Sequence, residues 1–138
     1  EPVRVYADCI QTSNSVITNE DNISVTIHFS DGSVGTLVYA ANGDKAMPKE
    51  HLEIFGGKKV FVIDDFNGAA SYSEDKKRVL KASGKGHKQE VEEFFHAFRN
   101  GKEMPIPFRS LYLTTLVTLK IRDSLSTGLP QKITVEAF

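Results

Sequence analysis

A chain of 138 residues is long enough for one domain with a buried core, and 40% hydrophobic with 25% charged residues is the balance of an ordinary globular fold. A net charge of −1 with no basic stripe argues against a nucleic-acid partner, and no apolar run approaches the roughly 18–20 residues of a membrane span. Cys9 is the single cysteine, which rules out an internal disulfide and a cysteine-based zinc site. With no charged-then-apolar leader at the start, a cytoplasmic setting is expected. The opening "EPVRVY" has no methionine and runs almost directly into a strand, so a piece of a longer protein is expected.

In chain order, residues 3–10 read as a strand and the polar residues 11–21 as a loop. "NISVTIHF" and "VGTLVYA" alternate in polarity around Asp31-Gly32, the pattern of a two-residue hairpin. That register sets Phe29 opposite Val34, Ile27 opposite Thr36 and Val25 opposite Val38 on the core face. The other face then carries Ser24, Thr26, His28, Leu37 and Tyr39. Residues 41–48, "ANGDKAMP", are rich in turn formers. "KEHLEIF" and "KKVFVIDDF" predict two strands around Gly56-Gly57, and "GAASYS" and "KRVLKA" a further hairpin around Glu74-Asp75.

The period then changes. Val91, Phe94, Phe95 and Phe98 form the i, i+3, i+4, i+7 stripe of an amphipathic helix over residues 87–100, a stripe expected to be core. Gly101 supplies its C-terminal stop. A second helix is predicted from a Ser110 cap to about Thr127, stopped by Gly128 and Pro130, with a short closing strand in "KITVEAF". Strands followed by helices, without βαβ alternation, predict an α+β fold. The expected form is a largely antiparallel open sheet of five to seven strands with two α-helices on one face, residues 1–138 making a single domain.

"GKGHKQ" places Gly84 and Gly86 before a helix, two of the three glycines of a dinucleotide fingerprint. The third position is Gln89, the preceding strand belongs to a hairpin, and the position about 20 residues on, where the ribose-binding acid would stand, falls in the Pro-rich stretch. The two glycines are therefore expected only to shape the start of the helix.

The stretch "EDNISVTIHFSDGSVGTLVYAANGDKAMPKEHLEIFGGKKVFVIDDF" resembles the C-terminal domain of the Gfo/Idh/MocA oxidoreductases. "GKGHKQEVEEFFHAFRNGKEMPIPF" is similar to the later part of that domain, and "LYLTTLVTLKIRDSLSTG" to its final helix. The resemblance implies an N-terminal Rossmann domain of the same chain, which holds NAD or NADP, and hydride transfer to or from a small sugar-like or polyol substrate. It also implies a homodimer through the open sheet face. The family's Glu-Lys-Pro motif and complete glycine fingerprint are absent, and its Asp/His pair would precede Glu1. No catalytic residue, metal ligand or cofactor site is therefore assigned within this chain, which is expected to be inactive alone.

In the family, the loop after the hairpin reaches the substrate. Asn42, Asp44 and Lys45 are expected to meet sugar hydroxyls, with Tyr39 and Lys49 at the edge, against the plain alternative of a solvated turn. Lys85 and His87 are candidates for a ligand or domain contact, and Thr26, His28 and Leu37 for the oligomer face. His51 and His96 have no ligand spacing, and Asp64 and Asp65, as adjacent strand residues, point to opposite faces. The runner-up function is a stand-alone dimeric binding module of the same fold without catalysis.

Overall fold

The structure, a computed structural model, describes residues 1–81 and 84–135. The order is β1 (Pro2–Cys9), a 3-10 turn (Asn19–Asp21), β2 (Asn22–Phe29), β3 (Val34–Ala40), β4 (His51–Gly56), β5 (Lys59–Asp64), β6 (Gly68–Ser73) and β7 (Lys76–Lys81). Then come α1 (His87–Arg99), α2 (Phe108–Thr127) and β8 (Gln131–Lys132). The fold is α+β, and every strand pairing among the described residues is antiparallel. The strands divide between two four-stranded sheets, β3-β2-β1-β8 and β4-β5-β6-β7. The chain accordingly forms two compact units, residues 1–43 with 106–138 and residues 44–105. Of the closing strand, only Gln131–Lys132 pairs among the described residues, and 136–138 lie outside them.

In the first unit, Val5 pairs with Ile27 and Ala7 with Val25, so their side chains share one face. Val5, Ala7, Val25 and Ile133 are buried there under Leu116, Val117, Ile121 and Leu125 of α2. Those four recur at helical spacing, so one stripe of α2 covers the sheet. The helix starts earlier than the Ser110 cap predicts. Pro107, at φ −61 and ψ 139, is the capping residue, and its carbonyl accepts from the Ser110 and Leu111 N–H groups. Proline's fixed φ and missing N–H suit that position, which leaves Ser110 inside the helix.

The β2–β3 hairpin corrects the expected register. Gly32 N donates to Phe29 O at 3.0 Å and Phe29 N to Ser33 O at 3.0 Å, closing a three-residue loop. The Asp31 carboxylate accepts from Ser33 N at 3.0 Å and from its hydroxyl at 2.6 Å, and only Gly32, at φ 86, takes the left-handed conformation. One extra loop residue turns β3 over. Val25 therefore faces Leu37, Ile23 faces Tyr39 and Ile27 faces Gly35. Leu37 and Tyr39 thus lie on the α2 side, away from Thr26 and His28, and Val34, Thr36 and Val38 take their place on the open face.

The second unit is a meander whose turns place Gly57-Lys58, Asp65-Phe66 and Glu74-Asp75 at positive φ. Gly101, at φ 59, ends α1 with Lys102 N donating to Ala97 O at 3.0 Å. The aromatic stripe of α1 is not core as expected. Ala97 is the buried residue of the helix, while Phe94 and Phe95 stay half exposed and Phe98 is 66% exposed.

Candidate functional site

Two groups of polar side chains stand out, one in each unit. In the first, the ends of β1, β2 and β3 surround a shallow concavity of about 380 Å³. Its wall includes Cys9, Ile10, Asn22, Ile23, Tyr39 and Asn42. Asn22 is 7% exposed and organises this corner. Its amide nitrogen donates to Thr18 O at 3.1 Å, and its Oδ1 accepts from Asn42 N at 3.3 Å. Both polar ends of a buried amide are thereby satisfied, which fixes where the chain leaves β3. The thiol of half-buried Cys9 accepts from Gln11 Nε2 at 3.5 Å.

Of the sequence-predicted substrate contacts, the structure brings Tyr39 and Asn42 together at this concavity. Asp44, Lys45 and Lys49 belong to the second unit. Asp44 Oδ1 accepts from Ala46 N at 2.8 Å, and Asp44 O from Met47 N at 3.1 Å, so its carboxylate shapes its own turn. Lys45 and Lys49 are exposed.

The second group is one that residue spacing alone did not assemble. Asp65 N donates to Glu50 O at 2.6 Å, extending the β4–β5 ladder by one pair beyond His51 and Asp64. The two acids meet there, and Lys85 binds Glu50 Oε1. The Asp65 carboxyl is held below the ordinary aspartate range, first by the neighbouring Glu50 side chain, then by the Glu50 and Lys49 N–H groups and the Lys85 charge. Among the described residues, Glu50 Oε2 is enclosed without a hydrogen-bond partner. The turn falls at Gly57-Lys58, which sets residue 50 opposite 65, whereas a turn centred on Gly56-Gly57 would set it opposite 63. The acids Asp64 and Asp65 are not a pair; Asp65 pairs with Glu50.

Lys85 is thus held by Glu50, while His87 opens α1. Gly84 and Gly86 both take positive φ, and Gly86 is the left-handed residue before the helix. The strand ahead of them, β7, is antiparallel to β6, so the parallel strand of a dinucleotide turn is missing here. On the open face of the first sheet, His28 Nε2 lies 3.1 Å from the Arg4 guanidinium, and Thr26 stands beside it between Tyr6 and Thr36. An arginine only donates, so this contact requires the His28 tautomer with a free Nε2 lone pair. Among the described residues no three His, Cys, Asp or Glu side chains gather as metal ligands, and no helix is long and apolar enough to cross a membrane.

No protein-family model matches the chain, and comparison with curated proteins finds no match. Solved structures do match. An NAD binding oxidoreductase from Klebsiella pneumoniae is similar with a TM-score of 0.79 at 13% identity, over 98% of this chain and 46% of its own. The aldose-aldose oxidoreductase from Caulobacter crescentus, complexed with glycerol, matches with a TM-score of 0.77 at 15% identity, over 96% of this chain and 42% of its own. Levoglucosan dehydrogenase, in complex with NADH and L-sorbose, matches with a TM-score of 0.76 at 17% identity, over 97% of this chain and 45% of its own. The chain spans less than half the length of these proteins. This chain has the fold of one part of these oxidoreductases.

Proposed function

We propose that the chain is the substrate-binding and oligomerisation domain of an NAD(P)-dependent oxidoreductase acting on a sugar or polyol-like substrate. One observation carries this reading: nearly all of the chain superposes on less than half of several oxidoreductases, some solved with NADH and a sugar. Hydride transfer needs a nicotinamide held against the substrate carbon and a proton carrier within hydrogen-bond reach. In this reading neither role falls to a residue of this chain. The NAD or NADP site and the proton carrier belong to a Rossmann domain of the same longer chain, and the isolated 138 residues are inactive.

The role left to this chain is to bind and orient the substrate. Tyr39 and Asn42 offer a ring and an amide at the mouth of the concavity, and Asp44, Lys45 and Lys49 continue the same loop. Neutral amides and charged termini of this kind pair with hydroxyl groups. Lys85 and His87 flank the start of α1 as a domain or ligand contact. The open face around Thr26 and His28 is the homodimer surface. Leu37, on the α2 side, is no part of it.

The gene upstream of Glu1 tests the assignment. A strand followed by Gly-x-Gly-x-x-Gly, and later Glu-Lys-Pro, is the expected result, and unrelated coding sequence would favour a stand-alone binding module. In the longer enzyme, Asn42→Ala and Lys45→Ala should raise KM for the sugar with little change in kcat. An unchanged KM in both removes this loop from the substrate site.

A further inference from the structure

Three asparagines of this chain precede a glycine: Asn42-Gly43, Asn67-Gly68 and Asn100-Gly101. A glycine in that place permits one reaction. With no side chain in the way, its backbone nitrogen can approach the asparagine amide carbon Cγ and close a five-membered imide. That attack needs two freedoms. The side-chain amide must turn its Cγ onto the next nitrogen, and that nitrogen must not be held elsewhere.

Two of the pairs lack both freedoms. Asn67 Nδ2 donates to Asp65 Oδ2 at 3.1 Å, and Gly68 opens β6, paired with Asp64 on one side and Lys81 on the other. Asn100 Nδ2 donates to His96 O at 2.7 Å, and Gly101, at φ 59, donates its N–H to Phe98 O at 3.4 Å in the stop of α1. Asp31-Gly32 can form the same ring, but Ser33 holds its carboxylate and Phe29 O its Gly32 N–H. Asn42-Gly43 differs. Both residues are exposed, and among the described residues neither the Asn42 amide nor the Gly43 N–H has a hydrogen-bond partner. The Asn42 N–H is tied to Asn22 Oδ1 at 3.3 Å, a bond that does not restrain the χ1 and ψ rotations that bring Cγ to Gly43 N.

We propose that Asn42-Gly43, alone of the three pairs, is a self-modifying site at which the folded chain deamidates and converts Asn42 to isoaspartate. Gly43 N gives its proton to a solvent base and bonds to Asn42 Cγ, and the Asn42 amide nitrogen leaves as ammonia. Water then adds to one of the two imide carbonyls and breaks its bond to nitrogen. Opening at Cγ gives aspartate. Opening at the backbone carbonyl gives isoaspartate, with the main chain rerouted through Cβ and Cγ. The product stands in the wall of the concavity. An amide that donates and accepts becomes a carboxylate that only accepts, next in sequence to Asp44. The isoaspartate form also lengthens the backbone by one carbon where the loop leaves Asn22. The consequence for function rests on the reading of this corner as the sugar site: modification lowers sugar affinity as the protein ages.

Peptide mapping by mass spectrometry, with isoaspartyl methyltransferase labelling, tests this on the 138-residue chain held at mildly alkaline pH. In urea the three Asn-Gly pairs should deamidate at comparable rates. In the folded chain Asn42 should keep most of its urea rate, while Asn67 and Asn100 slow by roughly tenfold or more, the worth of the hydrogen bond each must break. Gly43→Ala should stop the reaction at Asn42, and a Cβ there meets only Ala40 O, at 3.8 Å. Folding that protects Asn42 as well as it protects Asn67 and Asn100, or that protects none of the three, would overturn the proposal. In the longer enzyme, ageing should raise KM for the sugar roughly two- to tenfold in the wild type and leave Gly43→Ala unchanged. A KM that stays flat while Asn42 is fully deamidated would remove this corner from the sugar site and leave the modification standing.

Discussion

The Ser124 hydroxyl accepts a hydrogen bond from the Ala7 N–H at 3.0 Å and donates to Leu129 O at 2.9 Å. Ser124 is fully buried, and Ala7 sits on β1 just past the point where the two-residue β8 stops pairing. A side chain of α2 thus replaces a missing strand and ties the helix end to the sheet. Ser124→Ala leaves the buried Ala7 N–H without its acceptor, while Leu129 O keeps the Gln131 Nε2 donor at 3.1 Å, and should cost about 1–3 kcal/mol in urea unfolding, with an unchanged m-value. A cost below a few tenths of a kcal/mol would mean that water or relaxation satisfies the Ala7 N–H.

The two helices should respond differently to truncation. Leu113→Ala on α2, at 8% exposure, should cost about 2–5 kcal/mol. Phe98→Ala on α1, at 66% exposure, should stay within about 0.5 kcal/mol in the isolated chain. Thermal unfolding of the two variants checks this. A large loss from Phe98→Ala would show that the stripe is packed in solution.

The Asp31 turn has a pH signature. Its carboxyl is held below the ordinary aspartate range, first by the Ser33 hydroxyl and then by the Ser33 N–H. A depressed folded pKa means that the native state favours the ionised form. This contribution is full above the unfolded aspartate pKa and is lost as pH falls through the lower folded value. The wild type should therefore exceed Asp31→Asn in Tm near neutrality, and the gap should close on acidification. A gap that widens in acid contradicts the turn geometry.

The Glu50–Asp65 contact predicts a lowered Asp65 titration. Carboxyl carbon chemical shifts should place Asp65 below the ordinary aspartate range, and Glu50→Ala should raise it. Lys85→Met should raise it by less, since its charge is the weakest of the named causes. An Asp65 titration unmoved by Glu50→Ala would show that the two side chains do not meet in solution.

Much of this architecture was legible from alternation and period. The bounds of β2 and β3 and the span of α1 follow from residue pattern alone, because each is decided locally. The register of β2–β3 was not, because Asp-Gly serves both two-residue and three-residue loops. The choice between them rests on the Ser33 hydroxyl and N–H reaching the Asp31 carboxylate. The same slip moved Leu37 off the open face. Ser110 looked like a cap because its chemistry fits, yet the chain is already helical from Phe108. Of the site, Tyr39 and Asn42 were legible as neighbours in sequence. The buried Asn22 that positions Asn42 comes from twenty residues earlier, and pattern does not reveal that contact.

The most direct measurement is a titration of the isolated 138-residue chain with NADH and NADPH, followed by nicotinamide fluorescence and calorimetry. The account predicts neither binding nor sugar-dependent turnover, with both appearing once the chain is joined to the proposed nucleotide-binding domain. Stoichiometric binding of a nicotinamide nucleotide within these residues, or turnover by them alone, would contradict it.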